Sequence, residues 1–156
     1  MRLTRFSDIG LRVLMYLGSA SAERGPVTVA EIARQFDIPL NHLIKVVAQL
    51  SRVGWINAVR GRNGGLRLAP DAGALTVGTI LRALEGDAEL IDCDGNGCSL
   101  SLNCRLRGAL AVGMRAFYTA MDTFTLAQMS EGKTGEQIVL MHRMFLSGPM
   151  TKLETQ

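Results

Sequence analysis

The sequence predicts a mainly α-helical chain with one β-hairpin, and three observations predict it. Aromatic residues make up only 5% of the chain, and Leu, Ala, Val and Met supply most of its apolar content, which favours helices. Apolar residues recur at spacings of three and four in the amino-terminal half and again from Leu106 to Phe124. Between those regions, two short strand-like runs flank the turn Gly61-Arg62-Asn63-Gly64-Gly65, whose residues tolerate positive φ. The 156 residues suffice for one domain, or a small domain with an appendage, and for a real core.

The elements follow in order. Ser7 or Thr4 caps a first helix whose apolar positions are Ile9, Val13, Tyr16 and Leu17. Ala22 to Pro26 forms a turn. Thr28 caps a second helix, with Glu31 completing a capping box and Ile32, Ala33 and Phe36 on its apolar side. Asp37-Ile38-Pro39 breaks it. A third helix runs from about Leu40 to Val53 and buries Leu43, Ile44, Val47 and Leu50. Two short helices joined by a tight turn are a helix-turn-helix. Trp55 to Arg60 and Leu66 to Leu68 then form the hairpin, in the position of a wing. Pro70 to Gly73 links to a fourth helix, Val77 to Leu84, capped by Thr76. A polar loop from Glu85 to about Asn103 precedes a long helix reaching about Phe124. Its stripe of Leu106, Leu110, Gly113, Phe117, Ala120 and Phe124 has coiled-coil-like spacing and predicts a twofold homodimer. Thr125 caps a further short helix, and the tail after Met129 is expected to be partly disordered. The expected organisation is a DNA-binding region at 1–75, a loop and dimerisation helix at 76–130, and a tail at 131–156.

Charge separates the two halves. Residues 1–70 carry ten Arg and Lys against four acids, and residues 71–156 carry seven against ten. A basic first half next to an acidic remainder suits contact with a polyanion through the first half alone. The third helix sharpens this. Asn41, His42, Lys45, Gln49 and Arg52 share a polar face without a single acid, whereas an ordinary solvated face would include some. Amide, imidazole and basic groups suit base edges and phosphates of a duplex. Arg60, Arg62, Asn63 and Arg67 decorate the wing, where guanidinium groups can grip phosphates or a narrow groove. The wing glycines match neither phosphate-binding fingerprint, and a strand follows them, so a nucleotide-binding enzyme is not indicated. No run is long enough to span a bilayer and no cleavable leader is evident, so a cytoplasmic protein is expected.

The only three cysteines, Cys93, Cys98 and Cys104, fall in one stretch as C-x4-C-x5-C. An odd number strands one thiol in any disulfide scheme. A soft-metal site would be one ligand short, and these spacings suit an iron–sulfur cluster better than a zinc knuckle. Burial as small hydrophobes fits poorly with neighbouring Asp92, Asp94, Gly95, Asn96 and Gly97. Asp8 by itself reads as an acid favoured by the dipole of the first helical turn. His142 reads as a surface or packing residue. Met114, Met121, Met129, Met141 and Met144 read as core or seam and not as copper ligands, since they do not cluster.

The run NHLIKVVAQLSRVGWINAVRGRNGGLRLA resembles the helix-turn-helix and wing of the Rrf-two family of bacterial winged-helix repressors. The opening MRLTRFSDIGLRVLMYL and the cysteine triplet resemble that family too, over about residues 1–130. The resemblance implies a cluster held by Cys93, Cys98 and Cys104, most simply 4Fe-4S, with 2Fe-2S also compatible. Its iron–sulfur-biogenesis branch uses a histidine three residues after the third cysteine, where this chain has Arg107. Its nitric-oxide-responsive branch places an aspartate of the partner subunit at the start of the first helix, which corresponds to Asp8. The resemblance therefore implies a non-enzymatic repressor binding a palindromic double-stranded operator, with nitric oxide as effector. An iron- or redox-sensing regulator is the nearer alternative, and an electron-transfer iron–sulfur protein the more distant one, since it would not use an arginine-bearing wing.

Overall fold

The computed structural model describes residues 2–20, 27–59, 61, 64–86, 90–91, 95, 97–100 and 103–148. Its elements are α1 (Arg5–Ala20), α2 (Val29–Gln35), α3 (Leu40–Arg52), β1 (Ile56–Val59), β2 (Gly65–Leu68), a single 3-10 turn at Ala72–Ala74, α4 (Val77–Glu85), α5 (Arg105–Met121), α6 (Leu126–Met129) and α7 (Gly132–Leu146). The mainly α class with one antiparallel hairpin is as expected, and it is a winged helix-turn-helix.

Caps set where the helices start. Thr4 Oγ1 accepts the Ser7 amide, so Thr4 is the cap and Ser7 lies buried inside α1. Thr28 and Glu31 form the full capping box of α2. Thr76 caps α4, and Thr125 caps α6 with Gln128 completing a second box. Such caps are worth about 1 kcal/mol each. Asp37 at φ 49° ends the α2 segment and turns the chain into α3.

One core joins α1, α2, α3, the hairpin and α7, centred on Val13, Leu14, Leu17, Ile32, Leu43, Leu50 and Ile56. In α3 the buried positions are Leu43, Val46, Val47 and Leu50. This corrects the expected face: Ile44 is 50% exposed, and Val46, three residues beyond Leu43, takes its place. The hairpin pairs Ile56 with Leu68 and Val59 with Gly65. Leu66 anchors it by donating its amide to the Val27 carbonyl at 2.7 Å, which sews the wing to the strand-like entry into α2.

Two expectations for the carboxy-terminal half change. The long helix stops at Met121, short of Phe124. Thr123 Oγ1 turns back to the Ala120 carbonyl, and the Phe124 carbonyl accepts the Val77 amide at 2.8 Å, so the chain leaves α5 to pair beside the start of α4. The stretch 132–146, expected as part of a loosely ordered tail, forms α7 and packs on α1. Its packing side, Gly135, Ile138 and His142, has helical spacing.

Candidate nucleic-acid interface and cysteine loop

The helix-turn-helix places Asn41, His42, Lys45 and Arg52 on the exposed side of α3, opposite its buried row. Gln49 is half-buried and accepts a hydrogen bond from Arg52 Nη1 at 2.8 Å. Leu40 and Ile44 are exposed on the same helix, giving apolar groups that suit a thymine methyl. Packing does not require these residues to face outward as a set, so the face is available for another molecule. On the wing, Arg67 is exposed and paired in register with Asn57. Arg60, Arg62 and Asn63 lie outside the described residues. The turn between the strands uses Gly61 at φ 111° and closes with the Gly64 amide on the Gly61 carbonyl at 2.9 Å.

The cysteine loop joins α4 to α5. Cys93 lies outside the described residues, Cys98 is exposed, and Cys104 is the half-buried N-cap of α5. The Arg107 amide points at Cys104 Sγ across 3.5 Å. An N–H aimed at sulfur has the polarity a metal-bound thiolate accepts, so the surroundings of Cys104 suit a thiolate ligand. Among the described residues, no three His, Cys, Asp or Glu side chains converge within the chain. Asp8 sits in the first turn of α1 and pairs with Arg12 at 2.9 Å. Arg12 also lies over the Phe36 ring at 5.8 Å.

Two ties connect this loop to its surroundings. Glu85, at the end of α4, accepts the Thr4 amide at 2.8 Å and the Thr4 hydroxyl at 3.0 Å. Burial pushes the Glu85 carboxyl up, but hydrogen bonds from Ser7 and Thr4 outweigh it and leave the group below its ordinary range. The start of α1, with Asp8, is thus joined to the residue that leads into the cysteines. On the other side, Arg82 of α4 grips Asp122 with both terminal guanidinium nitrogens, at 2.9 and 2.6 Å, and covers the Tyr118 ring at 4.7 Å. The Arg82 hydrogen bond holds the Asp122 carboxyl below its ordinary range.

α5 itself has no buried residue. Leu106 is 60% exposed, Gly113 and Ala120 are exposed, Leu110 and Phe117 are half-buried, and Phe124 is exposed beyond the helix end. A 17-residue helix with an open apolar side is unusual for a lone chain and marks an interaction surface.

Sequence reasoning missed one polar cluster. Glu31, read as a capping residue, is fully buried and accepts hydrogen bonds from Tyr16 Oη and His142 Nδ1, both at 2.6 Å. His142 is fully buried as well. The signal was the lone His on the same helical stripe as Gly135 and Ile138, and it needed a partner 111 positions away to be read.

The fold and this face define a DNA-binding regulator of the winged-helix class. The chain belongs to the Rrf2 family, described as iron-dependent transcriptional regulators, whose model matches residues 3–132. Rrf2 regulators bind DNA and act as dimers, and they are not enzymes. The fold is similar to that of oxidized CymR from Staphylococcus aureus, at 26% identity and TM-score 0.65, over 85% of this chain and 98% of that one. CymR of B. subtilis, titled a global cysteine regulator, matches at 25% identity and TM-score 0.58 over 83% of this chain and 96% of that one. IscR of T. potens shares the fold at 23% identity and TM-score 0.66, over 83% and 85%. No helix among the described residues is long and apolar enough to cross a membrane.

Proposed function

We propose that this chain is a homodimeric repressor that senses nitric oxide through an iron–sulfur cluster, in the manner of the nitric-oxide-sensitive repressor NsrR. Cys93, Cys98 and Cys104 would hold the cluster, with Asp8 of the partner subunit as fourth ligand. When bound, the cluster supplies iron to which nitric oxide can bind. The observation that carries the reading is the place of Cys104: it caps the helix whose apolar side is open for a second subunit. Sensor and dimer surface therefore share one rigid element.

The remaining parts belong to the chain. Asn41, His42, Lys45, Gln49 and Arg52 would read an operator half-site from α3, and Arg60, Arg62, Asn63 and Arg67 would hold the flanking backbone from the wing. Leu106, Leu110, Gly113, Phe117, Ala120 and Phe124 would set the separation of the two readers. Asp8 is engaged by Arg12 in this structure, so ligation requires Asp8 to exchange that partner. The Thr4–Glu85 tie supports coupling, since a pull on the loop passes through α4 to the start of α1. An effector shifts the DNA equilibrium only by its preference between the two arrangements.

The test is operator affinity for cluster-loaded, cluster-free and nitric-oxide-treated protein at one salt concentration. Loaded protein should bind tightly and the other two weakly, and Cys98→Ala should lose cluster absorbance and operator binding together. Equal affinity in all three states sinks the sensing reading. Dependence on the cluster without dependence on nitric oxide would favour iron or redox sensing instead.

A further inference from the structure

We propose that α7 is a strut for DNA reading, and that His142 is the positioning residue through which it holds the helix-turn-helix. The inference rests on α3 being the DNA-contacting helix. The family match ends at residue 132, where α7 begins.

The structure ties α7 to both ends of α2. In the first turn of α2, Glu31 Oε1 takes hydrogen bonds from Tyr16 Oη of α1 and His142 Nδ1 of α7, each at 2.6 Å. Its other oxygen takes the Thr28 amide at 3.4 Å, the capping bond that starts α2. In the last turn, Gln35 Nε2 donates to the Met141 carbonyl of α7 at 2.9 Å. Tyr16 stands edge-on to Phe36 at 5.7 Å and to His142 at 6.4 Å, filling the space between the three helices. Tyr16, Glu31 and His142 are all fully buried. Burial, then the hydrogen bond to Glu31 and its charge, raises the Tyr16 phenol far above its ordinary range, in keeping with a phenol held as a donor.

α2 has seven residues and cannot hold its own geometry, so what it touches decides its orientation. It packs on α3, and a tilt of α2 would move the reading face. A buried carboxylate bonded at one angle resists tilt far more than apolar packing, because a lost donor leaves charge uncompensated. His142 Nε2 has no partner among the described residues, so Glu31 supplies the one polar contact that orients the ring. α7 is itself fixed, since Gly135 lies against the Ser130 carbonyl and Ser19 Oγ donates to that same carbonyl at 3.2 Å.

The test uses the full-length dimer and a duplex selected by wild-type protein from a random pool. His142→Leu keeps the bulk of the side chain and removes the donor, His142→Asn keeps an N–H at the same reach, and Gln35→Ala cuts the second tie alone. Affinity is measured for the selected duplex and for random duplex at one salt concentration, with thermal unfolding alongside. His142→Leu should lose about tenfold in affinity for the selected duplex. It should keep its affinity for random duplex, and His142→Asn should recover most of the loss. Gln35→Ala should lose affinity in the same selective way, and it decides the matter should His142→Leu not fold. Lowered thermal stability with undiminished selective binding, in either His142→Leu or Gln35→Ala, overturns the strut. Failure of the underlying reading looks different: wild-type protein would select no preferred duplex, or Gln49→Ala would leave the preference unchanged.

Discussion

Gly78→Ala tests whether close contact between α4 and α5 controls the regulator. Gly78 is the second residue of α4, and a Cβ there would run into the Asp122 carboxylate and lie 2.9 Å from the Tyr118 carbonyl oxygen. The carboxylate can swing away, but only by leaving Arg82 and Thr76. The carbonyl is backbone of α5 and cannot move without the helix. Two effects oppose each other. Alanine favours a helix over glycine by up to about 1 kcal/mol, and by less in the first turn, where Gly78 sits. Overpacking a close backbone contact costs about 1–3 kcal/mol. Overpacking wins, leaving a net loss of about 1–2 kcal/mol and a fall in Tm of about 2–8 °C for a chain of this size. Because α5 carries Cys104 and the open apolar side, its displacement should also weaken operator binding while random-duplex binding holds. Thermal unfolding and paired affinity measurements check both points. A variant with raised or unchanged Tm and wild-type operator affinity would refute the packing logic.

Two further outcomes follow from the same geometry. Phe117→Asp places a charge on the half-buried part of the α5 stripe, and light scattering should find monomers whose operator affinity has collapsed; a dimer of wild-type affinity would exclude this helix as the interface. Glu85 has a folded carboxyl below its ordinary value of 4.5, so its contribution is complete above that value and disappears as pH falls through the lowered one. The stability gap between wild type and Glu85→Gln in chemical unfolding should therefore be full above 4.5 and narrow as pH falls below it, and a gap that widened in acid would reverse the assignment.

Local chemistry was readable directly in the chain. Thr28 with Glu31, Thr76 and Thr125 announce helix starts because a cap and its amides lie within four residues. The hairpin follows from glycine-rich turn chemistry between two short runs, and the acid-free polar face of α3 from simple spacing. The cysteine triplet is a pattern of neighbours, so its chemistry was open to reading even where its geometry was not. Long-range choices were decided by the fold. Ile44 and Val46 both fit an apolar stripe, and only the packing of α3 against α1, α2 and β1 exposes one and buries the other. The end of α5 depends on a bond from Phe124 to Val77, 47 residues earlier, which no helix propensity encodes. Gly135, Ile138 and His142 have helical spacing, but a helix of modest propensity forms when it has a face to bury, and that face is α1. Glu31 satisfies its capping role in the sequence, while its burial and its bonds to Tyr16 and His142 require three helices to converge. Short-range hydrogen bonds are set by covalent proximity, and a buried polar group takes whichever partner the assembled core brings within reach.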